Sequence, residues 1–214
     1  LGVIIVMFCK KEKVKKVGEV ILGFGVLFMG LSLMSGSMAG LKESPFIISL
    51  LSNLKNPFLG IFIGFLITAI IQSSSVTVSI LLLMAQQGLL PLGICFYIIL
   101  GCNIGACTSA LLASLNGNKD AKRAALIHFL FNVIGTVIMA VMLLRGESWV
   151  ENMITTLSGG NIGRSVANAH TLFKVFQVLI LLPFSGAIVK MTYLFVPGKD
   201  EEATDGGFKL EYIG

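Results

Sequence analysis

The sequence predicts an all-α polytopic membrane protein, and three observations support this prediction. Hydrophobic residues make up 55% of the 214 residues, charged residues make up 13%, and the mean hydropathy is +0.91. A soluble domain carries about 25% charged residues. Apolar stretches of near-spanning length recur, and basic residues stand in short clusters between them, where signals of membrane orientation belong. The net charge of +5 therefore indicates orientation in a lipid bilayer, and we expect no nucleic-acid partner.

The first 16 residues are predicted to hold the end of one span and a basic loop. Residues 1–8 are apolar but too few to cross a bilayer, which takes about 20 residues, so we interpret them as the end of a preceding span. The lysine-rich cluster at 10–16 is expected on the cytoplasmic side. A span from Val17 to about Leu41 follows, and its many glycines predict close packing against other helices.

Residues 17–196 are predicted to form one transmembrane repeat. It contains the segment at about 57–88 and further spans at 89–115, 124–144 and 166–189. A basic turn at 116–123 separates two of these spans, and a polar loop is predicted at 145–164. Residues 197–214 are predicted to form an acidic cytoplasmic tail.

The segment at about 57–88 consists of two apolar arms around a polar waist at residues 72–75. Each arm is too short to cross a hydrocarbon core of about 30 Å at a rise of about 1.5 Å per residue. The pattern fits either one long helix with a polar waist or two half-helices in a re-entrant hairpin. If both basic clusters are cytoplasmic, the segment must begin and end on the opposite side. We therefore predict a re-entrant hairpin with its tip at the waist.

The polar waist predicts a binding site built from neutral groups. Between Pro57 and Leu144 the only acidic residue is Asp120, so a cation within the membrane must be bound by neutral oxygens, which suits Na⁺ better than a transition metal. A broken helix also leaves N–H groups that can bind an oxyanion. Alternatively, these polar residues hold helices together or bond back to the preceding turn. The candidate substrate-binding and ion-binding residues are Gln72, Ser73, Ser74, Ser75, Thr77, Asn103 and Thr108, of which the first four are the candidate Na⁺ ligands.

Several segments, in order, resemble the type II sodium/phosphate cotransporter family. Gln-Ser-Ser-Ser at 72–75 resembles the repeated QSSS signature of that family, and Gly-Cys-Asn-Ile-Gly at 101–105 resembles its G-x-N-I-G segment. Residues 121–132 and Ala-His-Thr-Leu-Phe at 169–173 resemble the second half of bacterial members. The resemblance covers about residues 10–198.

This resemblance implies that the chain is one half of an inverted-repeat transporter, in which two QSSS hairpins build one central site. The implied function is transport of inorganic phosphate across the bacterial inner membrane by alternating access, with Na⁺ as the coupling ion and no other cofactor. An N-terminal repeat, or a second copy of the chain, would then complete the site, and a PhoU-like domain would follow the tail. No enzymatic activity is expected. A phosphate-sensing or scaffold subunit, and a transporter of another oxyanion or of lipid phosphate, are the alternatives.

Some positions depart from the family pattern. Ala106 and Cys107 stand where relatives tend to have two threonines, and Lys174 stands where they tend to have asparagine. Lys174 could snorkel to the membrane surface, line an aqueous path or contact phosphate. His128 and His170 are expected to pack or to hydrogen-bond between helices, because a zinc site would need further ligands.

Overall fold

All regular structure in the described part of the chain is helical. The computed structural model describes residues 1–40, 44, 54 and 56–198. Four segments are long and apolar enough to span a membrane, namely Glu12–Ser37, Leu92–Ser114, Lys119–Leu157 and Ile162–Phe195. The predicted all-α membrane fold is therefore confirmed. Most of residues 41–55 and the predicted acidic tail from residue 199 lie outside the described residues.

The described helices are numbered here in chain order. They are α1 (Gly2–Phe8), α2 (Glu12–Ala39), α3 (Pro57–Ile71), α4 (Ser74–Gln86), α5 (Leu92–Gly105), α6 (Thr108–Ser114), α7 (Lys119–Leu157), α8 (Ile162–Leu181) and α9 (Ser185–Phe195). A short 3₁₀ turn at Leu182–Phe184 joins α8 to α9.

The N-terminal helices α1 and α2 form a separate pair at one side of the bundle. They meet at Gly2, which packs directly against the backbone of α2 at Leu22. The second helix begins at Glu12 and not at Val17, so most of the lysine cluster belongs to its first turns and not to a loop. Lysine and glutamate are good helix formers, and the negative charge of Glu12 interacts favourably with the positive end of the helix dipole. Most of the apolar surface of α2 remains exposed.

Helix α5 lies at the centre of the fold. Nearly all of its residues are buried, and Cys95, Phe96, Ile99 and Leu100 have no exposed surface. The ring of Phe96 meets the ring of Phe173 on α8 edge to face at 5.7 Å. Helix α5 therefore forms the core against which the surrounding elements pack.

Helix α3 packs against α5 in parallel through glycines on both helices. Gly60 and Gly64 of α3 face Ile94, Tyr97 and Ile98, while Gly101 and Gly105 of α5 face the backbone of α3. Each helix thus carries a G-x-x-x-G pair, which lets two membrane helices approach closely. Only residues 87–91 join α4 to α5. The start of α3, the end of α4 and the start of α5 therefore lie at the same end of the bundle.

The prediction of a polar loop at 145–164 is wrong for residues 145–157, which are helical. Helix α7 continues to Leu157, with one kink at Gly146 where φ is −148° and ψ is 34°. Val150 and Ile154, one turn apart beyond the kink, are 1% and 0% exposed. Apolar residues at helical spacing supply a buried face that continues the helix despite the polar residues around them. The loop is reduced to the short turn before α8.

The start of α7 and the end of α9 are tied together by Arg123. Its guanidinium donates to the carbonyls of Val196 (3.2 and 3.1 Å) and Gly198 (2.7 Å). It also forms an ion pair with Asp120 at 3.2 Å and lies 4.0 Å above the ring centre of Tyr193. The predicted basic turn and the end of the last span therefore occur at the same end of the bundle.

The opposite end is held by a hydrogen bond between α5 and α7. The hydroxyl of Tyr97 donates to Oε2 of Glu147 at 3.0 Å. Glu147, Pro57 and Pro91 line one cavity of about 270 Å³. Because Glu147 is about 42 Å along α7 from Lys119 at 1.5 Å per residue, the base of the 57–88 segment lies far from the basic turn.

Candidate functional site

The polar waist interrupts the helix at Gln72. This residue has a φ of 59° and is the one non-glycine residue with positive φ in the described part of the chain. Its N–H donates to the carbonyl of Thr68 at 2.6 Å and closes α3. Ser73 then caps α4, because its hydroxyl accepts from the N–H of Val76 at 3.4 Å. One helix thus ends and another begins within two residues.

The chain reverses direction at this break. The hydroxyl of Thr68 donates to the hydroxyl of Thr77 at 3.1 Å, although the two residues are nine positions apart. In one continuous helix they would be about 13.5 Å apart along the axis. The hydroxyl of Thr77 also donates to the carbonyl of Ser73 at 3.1 Å. Helices α3 and α4 therefore form a helical hairpin, tied by two buried threonines just below its tip.

The four tip residues differ in exposure. Gln72 and Ser75 are exposed on the surface of this chain, and Ser73 and Ser74 are half-buried. The N–H groups of Ser74 and Ser75 lie in the first turn of α4, where no acceptor is available within the helix. They also lie at the positive end of its dipole. The tip thus combines N–H donors that suit an anion with hydroxyl and carbonyl oxygens that suit Na⁺.

The remaining predicted site residues have different roles. Thr77 lies in α4 just below the tip. Asn103 is buried in α5, at 1% exposure, and its Oδ1 has no hydrogen-bond partner in the described part of the chain. The hydroxyl of Thr108 donates to the carbonyl of Gly105 at 2.7 Å, so it satisfies its own turn. Of these three residues, Asn103 alone offers a free buried acceptor.

A set of hydrogen bonds behind the hairpin joins three helical segments, and we call Cys107, Asn132 and Gln177 the inner polar network. The amide of Asn132 on α7 donates to Sγ of Cys107 at 3.3 Å. The amide of Gln177 on α8 donates to Oδ1 of Asn132 at 3.3 Å and to the carbonyl of Phe131 at 3.1 Å. Gly135 makes room for the Gln177 side chain.

Sequence reasoning missed this network as a feature of the site. Asn132 stands out in the sequence only as part of a family motif, and Gln177 belongs to no motif. Both are amides within predicted spans, at 124–144 and 166–189, where an uncompensated polar group is costly. That position is the signal that could have identified them.

The two arms of the hairpin separate below the threonine contact. A cavity of about 430 Å³ lies between them, lined by apolar residues of both arms such as Ile63, Ile67, Ile80 and Met84. Apolar walls offer no ligand to an ion, so the polar groups able to bind one are concentrated at the tip. In the described ranges no cluster of three or more His, Cys, Asp or Glu side chains forms a metal site.

Comparison with known proteins identifies relatives along most of the chain. The protein YqeW of Bacillus subtilis is 28% identical over 93% of this chain, and sodium-dependent phosphate transport protein 2A of Rattus norvegicus is 33% identical over 79%. YjbB of Escherichia coli, a proposed inorganic phosphate export protein by name, is 21% identical over the whole chain. The chain spans 64%, 27% and 38% of the lengths of these three proteins, respectively. No solved structure gives a significant match.

The family model described as Na⁺/Pi-cotransporter matches residues 45–151. This segment is half of the chain, and it contains the hairpin, its QSSS tip, the core helix α5 and the first part of the inner polar network. The spanning helices and the family match together make this a membrane protein. The chain belongs to the Na⁺/Pi-cotransporter family.

Proposed function

We propose that this chain is one half of a transporter that moves inorganic phosphate across a bacterial inner membrane, coupled to Na⁺. The observation that supports it most is the helix break at Gln72, whose polar tip faces outward from an otherwise apolar hairpin. An exposed row of hydroxyls and N–H groups at membrane depth would be costly in lipid. The exposure of these groups is consistent with a tip that faces a second half of the protein or a water-filled path.

The same tip can bind both ions of a symport. Hydroxyl and backbone oxygens of Gln72, Ser73, Ser74 and Ser75 are hard, neutral ligands of the kind that Na⁺ accepts. The start of α4 supplies N–H groups and a positive dipole end for phosphate. In surroundings of low dielectric constant, each bound ion offsets the charge of the other, so binding of one favours binding of the other.

The α3–α4 hairpin is proposed to be re-entrant. Its two ends lie beside Glu147, and the basic turn held by Arg123 lies at the other end of the bundle. If the basic turn is cytoplasmic, the hairpin enters the membrane from the outer side and returns there. Alternating access would then occur by movement of this half against a second, inverted repeat or a second copy of the chain around the tip.

Replacement of Ser74 by alanine tests the site directly. Ser74→Ala removes one tip hydroxyl and leaves the side-chain cap from Ser73 in place. We expect Na⁺-dependent uptake of labelled phosphate into proteoliposomes to fall by at least about tenfold, the effect of losing about 1.4 kcal/mol of interaction. Ser185→Ala is the matched control, because Ser185 is an exposed membrane serine far along the chain at the start of α9.

Uptake that survives Ser74→Ala unchanged would argue against a substrate role for the tip. Phosphate binding without flux by the wild-type protein would favour a sensing or scaffold subunit over a transporter. Because the name of the relative YjbB indicates export, efflux from phosphate-loaded vesicles should be measured alongside uptake. Competition by other oxyanions and by phospholipid headgroups distinguishes phosphate from the alternative substrates.

A further inference from the structure

One charged side chain lies deep within the last spanning segment. Lys174 is on α8, about 18 Å along the helix from Ile162 and about 24 Å before Lys190 at 1.5 Å per residue. It is half-buried. A lysine stem of four carbons cannot reach either end of the segment from there, because each end is more than about three turns away. The ammonium group must therefore find its partners at membrane depth.

The neighbours of Lys174 supply no negative charge. Cys102, Cys107, His128 and His170 lie within electrostatic range of its ammonium. It forms no hydrogen bond or ion pair with any residue in the described ranges. A lone cation at membrane depth is costly unless an anion or water compensates it. The protein itself supplies no such anion in the part of the chain that is described.

Two helix neighbours of Lys174, and Asn103 next to Cys102 on α5, carry polar atoms without partners among the described residues. His170 is one turn before it on the same face of α8, and Gln177 is one turn after it. Nε2 of His170, Oε1 of Gln177 and Oδ1 of Asn103 are buried and have no hydrogen-bond partner among the described residues. Native proteins leave few such groups unpaired, and those that are unpaired often await a ligand.

A series of residue contacts leads from Lys174 toward the hairpin tip. Cys102, near the ammonium, interacts with Thr68, and Thr68 is bonded to Thr77 directly below the tip. On the other side, Cys107 belongs to the inner polar network, which leads to Gln177. Cys102 and Thr68 therefore connect the surroundings of the charged group to the residues just below the QSSS tip.

We propose that Lys174 is the fixed positive charge that binds the transported oxyanion. Its charge offsets part of the negative charge of the oxyanion, which coupling cations would otherwise have to offset. This inference rests on the proposed phosphate transport. Phosphate suits the place, because its charged oxygens accept from an ammonium and its P–OH group can donate to one of the two amide oxygens that lack a partner among the described residues, on Asn103 and Gln177.

The test uses Lys174→Met, which keeps the length of the side chain and removes its charge. Phosphate binding to the purified full-length protein is measured by calorimetry over a series of Na⁺ concentrations. We expect the phosphate affinity of Lys174→Met to fall at least about tenfold at fixed Na⁺, as when one partner of a buried ion pair is removed. We also expect affinity to depend more steeply on Na⁺, because an additional Na⁺ must replace the lost charge.

Two variants separate charge from structure. Lys174→Arg keeps the charge and should keep the shallow Na⁺ dependence of the wild type. Lys190→Met removes a charge from an exposed position on α9 and should leave both affinity and Na⁺ dependence unchanged.

The outcomes separate this inference from the proposed function. Wild-type affinity in Lys174→Met would overturn the anion-binding role and leave phosphate transport standing. A weaker affinity with an unchanged Na⁺ dependence would assign Lys174 a structural role and would equally contradict the inference. A wild-type protein that neither binds nor moves phosphate would overturn the proposed function, and the inference with it.

Discussion

At the scale of single residues, the hairpin tip depends on Gln72 holding a conformation that glycine or asparagine more often adopts at a helix end. A left-handed residue with a side chain costs about 1–2 kcal/mol. The strain is offset by the bond from its N–H to Thr68 and by the cap that Ser73 provides for α4. Strained positions of this kind concentrate at functional sites, which agrees with the role proposed for the tip.

The pair Thr68 and Thr77 should be energetically coupled, since their hydroxyls form the one buried side-chain bond across the hairpin among the described residues. Thr68→Val and Thr77→Val each keep the shape and remove the hydroxyl. We expect each to lower the free energy of unfolding, and a double-mutant cycle to give a coupling of about 0.6 kcal/mol, an average for such bonds in membrane proteins. Thermal unfolding of the purified protein in detergent measures it.

The control for this cycle is Thr171→Val, because Thr171 is exposed and bonds only to its own helix at Ala167. Strictly additive effects of the two single changes would contradict the contact across the hairpin.

Site residues could be predicted from the sequence where neighbouring positions in the chain form a pattern. Four consecutive polar residues between two apolar arms indicated the tip. The pairing of Thr68 with Thr77, and of Asn132 with Gln177, could not be predicted in this way. These pairs depend on which helices become neighbours, and single polar residues in a span carry no information about their partners.

At the scale of elements, the hairpin is positioned by the contact between α3 and α5. The two G-x-x-x-G pairs, at residues 60–64 and 101–105, bring the helix backbones together, and this motif was readable in the sequence. The extension of α7 beyond Arg145 was not predicted, because polar residues such as Glu147 suggested a loop. The apolar spacing of Val150 and Ile154 decided the outcome, since both residues are buried in the hydrophobic core.

Addition of one methyl group to the α3–α5 contact should disrupt the hairpin. At Gly64 a Cβ atom would collide with the backbone carbonyl of Ile98, which cannot move away as a side chain can. We expect Gly64→Ala to lower stability by about 1–3 kcal/mol. Size-exclusion profiles and melting temperatures of the detergent-purified variant measure the loss.

Gly25→Ala is the matched control for this prediction, because no atom of another described element lies within 4 Å of the added Cβ on α2. Equal behaviour of the two variants would refute close packing at Gly64.

At the scale of the whole molecule, two ends are defined by named contacts. Arg123 gathers the start of α7 and the end of α9 at one end, and the Tyr97–Glu147 bond marks the other, beside the base of the hairpin. The order of spans and the positions of the basic residues predicted this arrangement, because the orientation rule depends on charge alone. The exposed apolar face of α2 could not be assigned a neighbour from the sequence, because lipid and another helix favour the same residue types.

This arrangement predicts that residues on both sides of the 57–88 segment face the same side of the membrane. In a Cys9→Ser background, Asn56→Cys and Gln87→Cys should both react with an impermeant maleimide added outside intact cells. Asn118→Cys, within the basic turn, should react only after the cells are opened. The remaining native cysteines, Cys95, Cys102 and Cys107, are buried and should give little background. A segment that crosses the membrane fully would place Asn56 and Gln87 on opposite sides, so labelling of just one of them from outside would exclude the re-entrant hairpin and the transport path built on it.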